Sequence, residues 1–514
     1  MSLLVTGLVT QGRMLQIWVG RVEIELASSA KPTNTPQQSV SAIKAHAETQ
    51  GIDYHAMASA PPPTVTTEED VPQSDGSKLK TFLSILRKFI GVSDLASVRF
   101  SLPSQLLEPT PNLEYWNYLD NPSAFAAIGT SDEPLDRMLE VLRFWFTKDL
   151  KYVKGKPCKP YNSCLGEFFR CNWEAEDNAP PIDTKALSIN GAKSGLSSAA
   201  SSIKSGKIDP RTASSVSVVQ TPPNPAGPTV RISYLTEQTS HHPPVSAFYV
   251  SCPEKGLHAR GYDQISAKFT GTAIKVSPGE HNLGIFVTLE RRDNETYQLT
   301  HPAAHLGGLL RGALSVTVGD VAYITCARTK LKAILNYVED GWLGRAQNKV
   351  EGVIFKYDPN NDDKVRIRDV PDSDVVARLG GGWKDKVVFT LGPKPVESHP
   401  PDRQVTIIDL NPLMVATKIL PPVAQQAENE SLKLWDGVTQ AIMSKQYSKA
   451  TNVKVELEEK QREMARERER TNEPFVPVFF TQATDKGGKP DLTEKGREVL
   501  ERAQEGEWDL NGII

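Results

Sequence analysis

Residues 237–248 read Glu-Gln-Thr-Ser-His-His-Pro-Pro-Val-Ser-Ala-Phe, which sets two adjacent imidazoles ahead of two prolines. Proline lacks a backbone donor and pushes the residue before it toward extended geometry, so His242 is expected in β or polyproline form. Neighbouring side chains on an extended segment point to opposite faces, which suits a shared metal ion poorly. As paired donors beside a strand end, His241 and His242 fit an anionic head group better. A histidine pair satisfied within its own loop is the plain alternative.

Two further stretches carry charge in a pattern. Residues 156–173, Lys-Pro-Cys-Lys-Pro-Tyr-Asn-Ser-Cys-Leu-Gly-Glu-Phe-Phe-Arg-Cys-Asn-Trp, hold Lys159 and Asn162 in a proline-marked loop. Lys454, Glu458 and Arg462 stand four residues apart, which places them on one face of a helix. Alone, such a ladder is a solvated surface feature worth about 0.3–0.5 kcal/mol per pair. A lysine in a proline-rich loop is likewise most simply solvated.

Together these segments resemble the oxysterol-binding-protein-related family. Its signature is Glu-Gln-x-Ser-His-His-Pro-Pro-x-x-x-Phe, and its second pattern, Lys-Pro-x-Asn-Pro-x-Leu-Gly-Glu with a following Trp, is matched by Lys159, Pro160, Asn162, Leu165, Gly166, Glu167 and Trp173. Ser163 stands where that pattern commonly has a second proline. The resemblance covers roughly residues 77–480. It implies that Lys159, Asn162, His241, His242, Lys454 and Arg462 grip the phosphorylated inositol of phosphatidylinositol 4-phosphate, with Glu458 orienting the two cations. A phosphomonoester carries about −1.5 to −2 charges and three acceptor oxygens, so several donors are needed at once. The run Gly261-Tyr-Asp-Gln264-Ile is similar to the family's Gly-Tyr-Asn-Gln-Ile, which implies that Gln264 lines a deep tunnel and reaches a sterol hydroxyl through water. Asp263 replaces the family's asparagine.

The elements that would position these groups follow from the apolar pattern. Leu79, Phe82, Leu83, Leu86, Phe89 and Ile90 fall at helical spacing among basic residues, with Gly91 as the stop. The helix either packs on a core or, as the resemblance implies, lids a lipid tunnel. Pro134 opens an apolar helix through Phe146. Short alternating runs then follow at 167–174, 230–235, 245–251, 257–269, 272–277, 284–290, 296–300, 313–318, 321–325, 332–337, 350–356 and 386–390, with turns at Asp293-Asn294, Asp358 to Asp363 and Gly380-Gly381-Gly382. So many strands predict one large antiparallel sheet or barrel; such a sheet curls, a closed barrel of this size encloses a cavity, and the resemblance implies an incomplete barrel around a lipid tunnel. The fold class is therefore α+β, with an N-terminal lid helix and a C-terminal helical subdomain.

Three parts are expected: a poorly ordered extension over 1–76, a lipid-binding domain over 77–400 and a helical subdomain over 401–514 that completes the head-group site. Residues 1–26 alternate enough for a strand, without a functional account. Residues 187–227, rich in Ser, Ala, Gly, Lys and Pro, read as a disordered insertion. Helices are expected over 430–447, 451–470 and 491–505.

Composition is that of a soluble globular protein: 514 residues, 39% hydrophobic, 24% charged and a net charge of −3. That charge gives no pull toward nucleic acid. Five scattered cysteines read as reduced thiols of a cytosolic protein, and no apolar run is long enough to span a bilayer. There is no Gly-x-Ser-x-Gly, P-loop, Gly-x-Gly-x-x-Gly, His-Glu-x-x-His or Cys-x-x-Cys. The expectation is a monomer that is not an enzyme, without cofactor or metal, and peripheral on organelle membranes. The resemblance implies that it exchanges sterol for phosphatidylinositol 4-phosphate. Phosphatidylserine as the second lipid, or a sensor without net transport, are the alternatives. Leu102-Pro-Ser-Gln-Leu-Leu-Glu-Pro109 partly resembles the entry segment of the serine-lipid carriers, but Thr110-Pro111 replaces their basic-Ser pair.

Overall fold

The computed structural model describes residues 75–92, 94–95, 104–155, 158–189, 227–308, 315–338 and 348–514. These all belong to one compact unit, Pro63–Ile514. The expected extension, its strand at 1–26, and 190–226 of the insertion lie outside the described residues.

Among the described residues fifteen strands form the sheet: β1 (Phe168–Glu176), β2 (Thr229–His241), β3 (Pro244–Cys252), β4 (Leu257–Asp263), β5 (Ile265–Phe269), β6 (Ile274–Pro278), β7 (Ile285–Leu289), β8 (Glu295–Leu299), β9 (Ala303–Gly307), β10 (Ser315–Cys326), β11 (Leu331–Tyr337), β12 (Lys349–Lys356), β13 (Val375–Gly382), β14 (Lys386–Leu391) and β15 (Val405–Asp409). The main path runs β1-β2-β3-β4-β7-β8-β10-β11-β12-β13-β14-β15, and β5, β6 and β9 branch from β10. Neighbouring strands are antiparallel, and β1 and β15 do not pair with each other, so the barrel stays open. An open edge invites foreign strands. At β1 it is covered by bridges from Phe168 to Glu430 and from Asn172 to Ile419.

Four strand expectations are corrected. The run 257–269 is two strands that part at Gln264, which turns toward the 279–282 loop. The runs 313–318 and 321–325 are one strand: β10 pairs with β9 up to Gly319 and with β11 from Asp320. Gly380–Gly382 is not a turn but the end of β13, where Gly381 has φ +139° and a Cβ would strike the Lys386 carbonyl. The gap left after 390 holds β15, which lies inside 401–514 and is the last strand of the main sheet.

The helices are α1 (Asp75–Leu86), α2 (Asn112–Tyr115), α3 (Pro122–Ala126), α4 (Pro134–Thr147), α5 (Lys151–Lys154), α6 (Thr184–Ile189), α7 (Ser431–Leu434), α8 (Asp436–Met443), α9 (Tyr447–Thr471) and α10 (Glu494–Glu505). Proline at its first position and Asp136 in its first turn start α4. Its Met138, Leu139, Leu142 and Trp145 join residues of most strands in the largest core. The polar face of α4 is buried as well, and there each charge has a partner. Arg137 makes a bidentate pair with Glu295 at 2.7 Å through Nε and Nη2.

Residues 479–513 build a second core against β1 to β4. Phe479, Phe480, Val499, Leu500, Leu510 and Ile513 close over Phe168, Leu235, Val245, Ala247 and Tyr262. Arg170 of β1 ties this layer down. Its guanidinium pairs with Glu430 at 3.1 Å, donates to the Trp508 carbonyl at 2.8 Å and lies 5.5 Å from the Trp508 ring centroid.

Candidate functional site

The strand β2 ends at His241, and the following hairpin turn sets the His241 and His242 rings edge to face, with centroids 4.8 Å apart. The expected opposite orientation therefore fails, because the alternation of an extended segment stops where the strand stops. Both residues are exposed. The polar residues before them build the turn. Gln238 donates from Nε2 to the Ser240 carbonyl at 2.6 Å, and the Ser240 hydroxyl donates to the Pro243 carbonyl at 2.8 Å.

The 159–167 loop docks on the same strand. Gly166 N–H donates to the Gln238 carbonyl at 3.0 Å, and Gln238 N–H to the Glu167 carbonyl at 2.8 Å. Within the loop, Lys159 Nζ donates to Asn162 Oδ1 at 2.8 Å and to the Pro160 carbonyl at 2.9 Å. Burial, and then the nearby ammonium of Lys454, bring the Lys159 pKa down to about 8. A lysine whose charged form is disfavoured by burial and by a second cation is poised for an anion. Lys454 itself is buried and lies 3.8 Å from Glu458, which also meets Arg462 at 3.6 Å. Arg462 bonds Glu459 as well, at 2.8 Å.

Aromatic packing fixes the loop against the C-terminal helices. Tyr161 stacks on Trp435 at 4.8 Å, in a cluster with Cys164, Val438, Ile442, Tyr447 and Ala450. The Ser104 hydroxyl is 2.8 Å from that of Thr451 on α9. Thus Lys159, Asn162, Lys454, Glu458 and Arg462 form one neighbourhood. The histidine turn lies three residues along β2 from Gln238, where this loop is bonded.

The N-terminal helix joins the same region. Phe82 packs both on the Tyr161–Trp435 cluster and, with Leu83 and Phe89, against Phe269, Ile274, Ala267, Val276 and Leu306 of β5, β6 and β9. Leu86 is fully buried there. Leu79 lies on the helix, and its side chain is outside the described residues. Gln264 stands apart from the head-group neighbourhood: its Oε1 accepts from His281 N–H at 2.7 Å, which fixes the 279–282 turn.

Several buried polar residues had no role assigned from sequence. Glu167 and Glu237 lie inside the quoted motifs. Burial pushes each carboxyl up to about 7. A second group sits at the C-terminal end of α4. Lys148 pairs with Asp149, and Lys151 with Asp149 at 3.3 Å and Asp120 at 3.2 Å. Beside them Tyr118 donates to Asp263 Oδ1 at 2.5 Å, and His301 stacks on Tyr118 at 5.1 Å. No sequence signal marks this group, since its members are spread from Tyr118 to His301 and follow no spacing.

Asp263 yields a pH test. Burial, opposed by the Tyr118 hydrogen bond, pushes its carboxyl up to about 7. Below the unfolded value of about 3.9 both states hold the proton and the site has no linkage. As pH rises toward 7 the unfolded chain releases its proton while the folded chain keeps it, so stability falls, with the full cost reached above 7. Asp263→Asn keeps an acceptor for Tyr118 and removes the titration. Its stability relative to the parent is expected to grow by about 1–2 kcal/mol between pH 5 and pH 8, after allowance for solvent screening. Thermal melts at both pH values check this, and a difference constant with pH refutes it.

The family profile described as oxysterol-binding protein matches residues 81–440 and 438–511. The chain belongs to the oxysterol-binding protein family. It is 40% identical over 487 residues to "Oxysterol-binding protein-like protein 1" of Schizosaccharomyces pombe, covering 85% of this chain and 93% of that protein. It is 28% identical to human "Oxysterol-binding protein-related protein 10", covering 75% of this chain but only 44% of that longer protein. Among solved structures, the Osh1 ORD domain in complex with ergosterol superposes with a TM-score of 0.58 at 18% identity, covering 94% of this chain and 100% of that one. The Osh3 ORD of Saccharomyces cerevisiae in complex with PI(4)P gives a TM-score of 0.50 at 16% identity, covering 88% of this chain and 95% of that one. These likenesses confirm the incomplete antiparallel barrel. Among the described residues no helix is long and apolar enough to cross a membrane.

Proposed function

We propose that this protein moves lipids between organelle membranes, taking up one molecule at a time and exchanging a sterol against phosphatidylinositol 4-phosphate. The observation that carries the reading is the gathering of cations from one loop and one helix: Lys454 and Arg462 both pair with Glu458, at 3.8 Å and 3.6 Å, and the Lys454 ammonium helps to lower the Lys159 pKa. A phosphomonoester relieves that repulsion and supplies acceptors for all three. The aromatic and aliphatic contacts of α1 with β5, β6 and β9 suit a cover that keeps water from an apolar cargo. Burying apolar surface contributes on the order of 25 cal/mol per Å², enough to compensate for leaving a bilayer. The Osh1 ORD is solved with a sterol and the Osh3 ORD with PI(4)P, which supports reading a barrel of this kind as a holder of either lipid. No covalent step belongs to this reading, and the protein works from the cytosol by transient contact with membranes.

The test is transfer between two vesicle populations, one carrying sterol and the other with or without phosphatidylinositol 4-phosphate. Sterol movement is expected to accelerate when the phosphoinositide is present in the acceptor. His241→Ala combined with His242→Ala is expected to abolish phosphoinositide extraction while leaving sterol binding intact. Sterol movement indifferent to the phosphoinositide contradicts exchange. Binding of both lipids without movement of either identifies a sensor, and movement of phosphatidylserine in place of sterol reassigns the second cargo.

A further inference from the structure

Glu167 immediately precedes β1, and its chain neighbour Phe168 is the register partner of Glu237 on β2. Both acids are fully buried, at 0% and 1% exposure. An ionised carboxylate accepts hydrogen bonds and donates none, and the donors here come from particular places. Glu167 Oε2 accepts from Cys164 N–H at 2.8 Å and from the Trp435 indole at 3.1 Å, and Oε1 accepts from the Ser431 hydroxyl at 2.6 Å. Glu237 accepts Val478 N–H at 2.7 Å on Oε1 and Phe479 N–H at 2.8 Å on Oε2.

The order along the chain gives these bonds a meaning. Helix α9, with Lys454, Glu458 and Arg462, lies between Trp435 and Val478, so the two carboxylates hold the segments on either side of it. Cys164 belongs to the loop of Lys159 and Asn162. Glu237 stands four residues before His241 on the same strand. We propose that Glu167 and Glu237 form a clamp that sets the three head-group stretches at their working distances from one another. They are positioning residues and touch no lipid. The inference rests on the head-group reading of the site, and goes beyond it by naming what assembles that site.

The two members differ in what they tolerate. Glu237 presents one oxygen to each of two backbone donors. An amide there offers one oxygen and turns an NH2 group against the second N–H, so Glu237→Gln breaks the clamp. At Glu167 the amide oxygen can keep Cys164 and Trp435. Its NH2 can donate to the Ser431 hydroxyl, which lies 3.1 Å from the Phe168 carbonyl and can donate there instead. Glu167→Gln is therefore the conservative replacement that rescues what Glu167→Ala loses.

The experiment compares the full chain with Glu237→Gln, Glu167→Ala, Glu167→Gln and Lys454→Ala. It measures binding to phosphatidylcholine vesicles with and without phosphatidylinositol 4-phosphate, binding of a fluorescent sterol, and amide hydrogen exchange across 447–471. Glu237→Gln and Glu167→Ala are expected to lose phosphoinositide-dependent binding by about tenfold or more, the size of a buried charged hydrogen bond. Exchange in 447–471 should quicken, while sterol binding stays within about twofold, since the clamp lies outside the core of the barrel. Glu167→Gln should restore both affinity and protection. Should Glu237→Gln fail to fold, Ser431→Ala, which removes one donor, is expected to show the same pattern in milder form. Unchanged exchange in 447–471 in both Glu237→Gln and Glu167→Ala overturns the clamp, as does a parallel loss of sterol binding. If Lys454→Ala keeps full phosphoinositide affinity, the head-group reading fails, and the exchange data alone then decide whether the clamp stands.

Discussion

Arg170→Ala is expected to lower the stability of the fold by about 3–5 kcal/mol, the cost of leaving a buried charge without its partner. Arg170 and Glu430 are both almost entirely enclosed, with side-chain exposures of 1% and 2%. The same guanidinium also serves the carbonyls of Gln425 and Trp508, at 3.2 Å and 2.8 Å. Removing it orphans a carboxylate and two carbonyls inside the interface between β1 and the C-terminal layer. Equilibrium unfolding in guanidinium chloride measures the effect. The double replacement Arg170→Met with Glu430→Leu should recover part of the loss, because two apolar groups of similar size leave no charge unpaired, although the carbonyls stay without their donor. A loss below about 1 kcal/mol for Arg170→Ala would mean that water reaches the pair and that the layer is less tightly closed than its geometry indicates.

Lys454→Ala is expected to weaken binding to vesicles containing phosphatidylinositol 4-phosphate by about 10- to 100-fold, the range of one lost hydrogen bond to a charged group. Sterol binding should be unaffected. The loss is tempered by Lys159, whose pKa is lowered partly by Lys454 and should rise toward its ordinary value when that charge goes. Nuclear magnetic resonance titration of Lys159 checks this second effect independently of any lipid. Arg462→Lys should also weaken phosphoinositide binding, because an ammonium cannot reproduce the two-pronged fork of a guanidinium. A Lys454→Ala protein that binds phosphoinositide vesicles like the parent would remove α9 from the site.

Much of this architecture was legible because the sheet is built from alternating runs separated by turn residues. Asp293 and Asn294 take positive φ of 52° and 58° between β7 and β8, as a turn there demands. The failures have definite causes. Gly380–Gly382 carries the composition of a turn, yet its backbone completes β13 because Val350 and Glu351 of the preceding strand β12 pair with it. At Gly319-Asp320 the composition is that of a turn, whereas β10 only changes partners there. The motifs marked five residues that the fold brings together and the histidine turn bonded nearby. They could not reveal what Glu167 and Glu237 do, because the donors that bury those carboxylates sit at 431, 435, 478 and 479. Spacing along the chain carries helix faces and strand faces, and it does not carry contacts made across more than two hundred residues.

A phosphatidylinositol 4-phosphate bearing a photoreactive group on its inositol ring tests the central claim most directly. After irradiation of the loaded protein, peptide mass spectrometry should locate cross-links in all three stretches: 159–162, 241–242 and 454–462. Cross-links confined to a single stretch, or scattered outside them, would contradict the account.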